Sequence, residues 1–133
     1  MKLTDDERKQ VVAHRLQKAK DTLNEAKGTI EMEYWHTASN RLYYACYYVA
    51  SALLIKHGHI ARTHTGIISV LGQHFVSKGL ISQEQGAFYS ELFELRQKGD
   101  YNDWVAIKPE IIVSMVAPAE EFIATVEKLI LLP

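Results

Sequence analysis

The sequence predicts an all-α protein, an up-and-down bundle of four to five helices, and three observations carry that expectation. Apolar residues recur at helical steps of three and four, capping signatures stand where those rows begin, and no segment alternates with period two for long enough to demand a strand. The chain has 133 residues, 47% hydrophobic and 23% charged, with three prolines and seven glycines, so a single domain over 1–133 is expected to bury a core. Disordered and collagen-like classes are excluded.

Thr4-Asp5-Asp6-Glu7 has capping-box spacing, so a first helix starts there and continues along Val12, Leu16, Ala19, Leu23, Ala26 and Ile30, ending near Gly28 to Glu33. A second helix, from about His36 to His57, carries Ala38, Leu42, Ala45, Val49 and Ala52 on one row. Its alanines recur at heptad spacing, which lets a neighbouring helix approach closely. Gly58 to Arg62 reads as the connection after a glycine-terminated helix. Thr63 or Thr65 caps a third helix through Ile67, Ile68, Leu71 and Phe75 to Ser77, stopped by Gly79. Ser82 to Gln85 is a second capping box, and the fourth helix carries Phe88, Leu92 and Leu95 beside a row of Tyr89, Phe93, Arg96 and Asp100, with Gly99 as its expected stop. Pro109 suits the first turn of a fifth helix through Ile112, Val116, Phe122, Val126 and Leu129, which Pro118 should kink or interrupt.

Charge and cysteine content narrow the function. Fifteen basic against 16 acidic side chains give a formal charge of −1, so any nucleic-acid site must be a local patch. The single cysteine, Cys46, has no internal partner, and the chain opens on charged residues rather than an apolar signal, so a reducing cytoplasm is expected. The uncharged run Leu42 to Ile55 falls short of the roughly 20 apolar residues that cross a bilayer, and no membrane association is expected.

Asn40, Tyr44, Tyr47 and Ser51 form a polar row on the second helix, bordered by Arg41 and Tyr48. Two readings stand side by side: ring packing with hydroxyls at the rim, or a wet groove. Arg96 is the most informative charge, because a guanidinium on an otherwise apolar face either pairs with Asp100 near the helix end or forks toward phosphate. Asp100 and Tyr101 either cap that end or face a ligand. His57, His59 and His64 match no closed zinc pattern, so no metal and no cofactor is expected, and His64 reads as a local hydrogen-bonding residue at a helix start. Cys46, among alanine, tyrosine and valine, reads as an inert buried thiol.

Three motifs in order, Asn40-Arg41-Leu42-Tyr43-Tyr44-Ala45, Thr63-His64-Thr65-Gly66-Ile67 and Leu95-Arg96-Gln97-Lys98-Gly99-Asp100-Tyr101, resemble the small stand-alone HEPN proteins (higher eukaryotes and prokaryotes nucleotide-binding), in the subgroup with an arginine-led Asp-Tyr motif. The resemblance spans nearly the whole chain. It implies a helical bundle that forms a homodimer, an RNA or nucleotide theme, and a toxin–antitoxin-like setting beside a minimal nucleotidyltransferase. In family members that cleave RNA, four to six residues separate an arginine from a following histidine. Arg96 matches the arginine and Asn40 the polar residue of the second helix, but Tyr101, Asn102 and Asp103 stand where the histidine would be.

Three functions therefore remain in play. The protein is a binding partner that uses Asn40, Arg41, Tyr44, Tyr47, His64, Arg96, Asp100 and Tyr101 to hold a nucleotide, an RNA phosphate or a nucleotidyltransferase surface. Alternatively it is a metal-independent ribonuclease in which Arg96 stabilises phosphorane charge and Asp100 or Tyr101 moves protons, despite unperturbed pKa values of roughly 3.9 and 10 that suit neither to the task. In the third, a structural or regulatory dimer, the motif only organises the bundle. Were a partner nucleotidyltransferase to modify this chain, the Tyr101 phenol beside the motif would be the acceptor.

Overall fold

The computed structural model describes residues 2–101 and 107–133. Among these, the chain forms α1 (Asp5–Glu31), α2 (Trp35–Lys56), α3 (His64–Leu71) continued by a π-helical turn (Gly72–Val76), α4 (Gln83–Tyr101) and α5 (Pro109–Leu131), and no strand. The architecture is the expected all-α bundle.

Three helices, α1, α3 and α4, begin at a side chain that satisfies one of their first amides. The Thr4 hydroxyl accepts from the Glu7 amide at 3.1 Å while the Glu7 carboxylate accepts from the Thr4 amide at 2.9 Å, closing the box that opens α1. Those hydrogen bonds also hold the Glu7 carboxyl below its ordinary pKa. Of the two candidate caps for α3, Thr63 takes the role, accepting from the Gly66 amide at 2.9 Å. Ser82 accepts from the Gln85 amide at 3.0 Å ahead of α4. Gly58, with φ of 74°, closes the end of α2 in the left-handed region that glycine enters without steric cost.

Packing is organised around α2, which lies against every other α-helix, most extensively against α1. Ala38, Leu42, Ala45, Val49 and Ala52 are all fully buried, so the alanine row does bring its neighbours close. From α1, Ala19 and Ala26 join the core outright, and Val12, Leu16, Leu23 and Ile30 pack against it while partly exposed. Leu92 of α4 and Ile112, Phe122 and Val126 of α5 complete the interior.

Neither the expected stop at Gly99 nor an interruption at Pro118 occurs. Gly99 does not stop α4, which runs on through Asp100 to Tyr101, so these residues belong to the helix rather than to a following loop. The reason for glycine is proximity: a Cβ there would stand 2.7 Å from Ile107 Cδ1 and 3.4 Å from both Ser39 Oγ and His36 Nδ1. Likewise α5 continues through Pro118. Proline removes one amide donor, and the buried Ile112 before it and Ala119, Phe122 and Ile123 after it anchor both halves of the helix to the same core.

Candidate functional site

Where α2 and α4 meet, the second-helix polar row and the fourth-helix motif form one network. Arg96 is 8% exposed. Its Nε pairs with Asp100 Oδ2 at 2.9 Å, one helical turn along α4, and its Nη2 donates to the Tyr44 hydroxyl at 3.0 Å. Asn40 Nδ2 donates to the same Asp100 oxygen at 2.9 Å, while the Asn40 carbonyl accepts from Arg41 Nε and Nη2 at 3.1 and 2.8 Å. Both guanidinium groups lie over the Tyr44 ring, their central carbons 5.2 Å (Arg96) and 5.5 Å (Arg41) from its centroid. Among the described residues the network joins two guanidinium groups, one carboxylate, an amide and a phenol, and every member is held by at least one of its neighbours.

Behind it sits a tyrosine that the polar-row reading does not include. Tyr43 is fully buried, its hydroxyl 2.6 Å from His64 Nδ1 and 3.5 Å from the Tyr89 hydroxyl, which donates to it. Burial pushes the Tyr43 phenol up to about 12, so it stays protonated. His64, at the first turn of α3, is turned inward against Tyr47 and Phe93, with ring centroids 5.1 and 5.8 Å away. Desolvation, and after it the charge of Arg96, hold the His64 imidazole below its ordinary pKa, so it is neutral near pH 7. The hydrogen bond of His64 therefore runs to another helix rather than to the local groups at the start of α3, where Thr63 is the cap.

Ser51, the last member of the polar row, is buried and accepts from Arg15 Nη1 at 3.0 Å. Arg15 belongs to a groove between α1 and α2 that encloses about 420 Å³. His14, Arg15 and Lys18 form its α1 side; Tyr44, Tyr47 and Tyr48 form its α2 side, with His64 adjoining. Sequence reasoning missed the α1 residues, although His14 and Lys18 share one helix face at a spacing of four. It also missed His36, whose Nδ1 lies 3.2 Å from the Gly99 carbonyl oxygen. The side chain of Tyr101, with Asn102 and Asp103, lies outside the described residues.

The remaining histidines and the thiol are placed elsewhere. His57 and His59 stack near His74, with the His59 and His74 centroids 4.2 Å apart, and are separated from His64. Among the described residues no group of three or more His, Cys, Asp or Glu side chains could hold a metal ion. Cys46 is buried, and burial pushes its thiol far up, which leaves no thiolate for nucleophilic chemistry. No helix among the described residues is long and apolar enough to cross a membrane.

A helical bundle with an arginine-bearing, tyrosine-flanked centre built from an Arg-Leu-Tyr-Tyr segment on α2 and an Arg-x-x-x-Asp-Tyr segment on α4 defines the class. The HEPN domain family matches residues 12–129. The chain belongs to that family. It is 34% identical over 125 residues to a UPF0332 protein of Thermotoga maritima, covering 94% of this chain and 95% of that one. A protein of Methanocaldococcus jannaschii that bears the name "Putative toxin MJ0605" is 31% identical over 110 residues, 83% of this chain and 81% of its own. A UPF0332 protein of Archaeoglobus fulgidus is 28% identical over 109 residues, 82% of this chain and 86% of its own.

Proposed function

We propose that the protein is a nucleotide- or RNA-associated binding protein of the cytoplasm, acting as a homodimer and as the partner of a minimal nucleotidyltransferase in a toxin–antitoxin-like module. The observation that carries this reading is the closed Arg41–Asn40–Asp100–Arg96–Tyr44 network. Two guanidinium groups fixed by Asp100, Asn40 and Tyr44 form a preorganised phosphate-binding centre, because little side-chain freedom is left to lose on binding. Asp100 is engaged by both Arg96 and Asn40, which suits it to positioning rather than to carrying protons. The toxin name of a relative supports the module setting. The test is co-purification of the intact protein with a minimal nucleotidyltransferase, and retention of labelled RNA, with wild type and Arg96→Ala compared by intact mass and gel shift. Loss of both on substitution, with the melting curve still cooperative, is the expected outcome; retention of both overturns the reading.

One observation favours a second reading, a metal-independent ribonuclease. His64 is a neutral imidazole anchored by the Tyr43 hydroxyl at 2.6 Å and adjoins the groove beside Tyr44, the residue that binds Arg96. In that reading the Nδ1–H of His64 donates to the Tyr43 oxygen, and Nε2 takes the proton of a ribose 2′-hydroxyl as that oxygen bonds to phosphorus; the P–O5′ bond breaks, the proton passes from Nε2 to the leaving 5′-oxygen, and Arg96 stabilises the phosphorane charge. Incubation with a mixed RNA pool in EDTA distinguishes the two. Cleavage by wild type that disappears in both His64→Gln and Arg96→Ala establishes the ribonuclease, and an uncut pool returns the protein to the binding class.

A further inference from the structure

The groove between α1 and α2 lies beyond the motif network, and its chemistry is specific. Its two sides are unlike: cationic from α1, aromatic from α2. Its volume of about 420 Å³ falls within the roughly 300–1,000 Å³ range of small-ligand sites. Lys18 Nζ stands 4.8 Å from the centroid of the Tyr48 ring, and the Tyr47 and Tyr48 rings meet edge to face at 5.4 Å. Arg15 is steadied by Ser51 Oγ, so one cation is fixed while the other rests on an aromatic face.

We propose that this groove is a nucleotide subsite, in which a flat base stacks on Tyr48 and its phosphate is held by Arg15 and Lys18. The inference deepens the nucleotide-associated reading above by assigning the base to a place outside the Arg96 network. A ring face and a fixed guanidinium on opposite walls match a ligand that is planar and apolar at one end and anionic at the other. Lys18 makes the site responsive: a base that takes the face of Tyr48 displaces the ammonium from the ring, and the ammonium turns to the phosphate. Tyr44 belongs to both the groove and the Arg96 network, so a strand of RNA entering the groove continues toward Arg96 along α2.

A free nucleotide and one residue of an RNA strand share this chemistry, so both serve as probes: AMP by calorimetry, and a fluorescein-labelled single-stranded oligo(A) by anisotropy. The full chain is compared with Tyr48→Ala, Tyr48→Phe, Lys18→Glu and Arg96→Ala, each checked for an unchanged circular dichroism spectrum. Tyr48→Ala is expected to weaken binding about tenfold, and Tyr48→Phe to restore it to within about twofold, because stacking needs the ring and not the hydroxyl. Lys18→Glu is expected to weaken oligo(A) binding and to make the salt dependence shallower by about one phosphate contact. AMP binding with the same pattern identifies a free-nucleotide site; oligo(A) binding alone identifies a stretch of strand path. If Tyr48→Ala and Lys18→Glu bind as wild type while Arg96→Ala does not, the groove is overturned and the Arg96 reading stands. If the groove variants lose binding and Arg96→Ala keeps it, the groove stands and the Arg96 centre falls. Wild type that binds neither probe overturns the groove, and the nucleotidyltransferase co-purification then judges the broader reading by itself.

Discussion

The two faces of α2 do opposite things with the same backbone. One presents Ala38, Leu42, Ala45, Val49 and Ala52, all fully buried, and neighbouring helices close onto it. The other presents Asn40, Arg41, Tyr44, Tyr47 and Tyr48, partly exposed, and there the bundle opens into a network and a groove. Side-chain size and polarity account for the difference. Small apolar residues let helix axes approach and exclude water, whereas tyrosines hold neighbours apart by the width of a ring and keep a polar atom at the rim. Stability should therefore reside mainly on the first face and ligand recognition mainly on the second.

The largest test of that separation removes core volume. Phe122→Ala deletes a fully buried ring that stacks on Tyr89 at 5.3 Å, and a loss of about 3–5 kcal/mol in urea unfolding is expected. An unchanged midpoint would contradict the assignment of the core. Next in size is Asp100→Ala on the polar face. It removes the carboxylate that both Arg96 Nε and Asn40 Nδ2 meet, and the loss of these charge-assisted hydrogen bonds is expected to cost about 1.5–3 kcal/mol in the same assay. A cost below that range would mean that the network matters to recognition alone.

A pH dependence sharpens the comparison further. The folded-state pKa of His64 lies below that of the unfolded chain, so between the two values the unfolded chain binds more protons and stability rises with pH. As pH falls from about 6.5 through the folded-state value, stability should fall, and the fall should be shallower in His64→Gln. His57 and His59 are shifted in the same direction, chiefly by desolvation, so the slope retained by His64→Gln measures that second cluster together with the carboxylates. Equal slopes in the two proteins would remove His64 from the account. The smallest effect belongs to the surface. Lys27 and Glu120 pair at 3.2 Å with both side chains nearly half exposed, and Lys27→Ala should cost no more than about 0.5 kcal/mol by thermal unfolding.

Much of the fold was readable before any coordinates. The capping boxes at Thr4 and Ser82 and the buried alanine row on α2 depend on residues three or four apart, and such neighbours meet in any helix. Gly99 misled because a glycine near a helix end has two meanings, a stop or a close approach, and only the position of Ile107 separates them. Pro118 does not interrupt α5, because the loss of one amide bond weighs little against two well-anchored halves of a helix.

The candidate site divides along the same line. The Arg96–Asp100 pair was visible as neighbours on one helix, and Asn40 and Tyr44 as one row on another. That these two helices bring their rows together at a single carboxylate oxygen, that Tyr43 and not a tyrosine of the polar row holds His64, and that Arg15 and Lys18 face Tyr47 and Tyr48 were decided by the bundle. The physical reason is one of range. Helical periodicity sets which side chains share a face of a helix, but the rotation and depth at which two helices pack depend on the whole core between them, and contacts across that core follow from packing rather than from spacing along the chain.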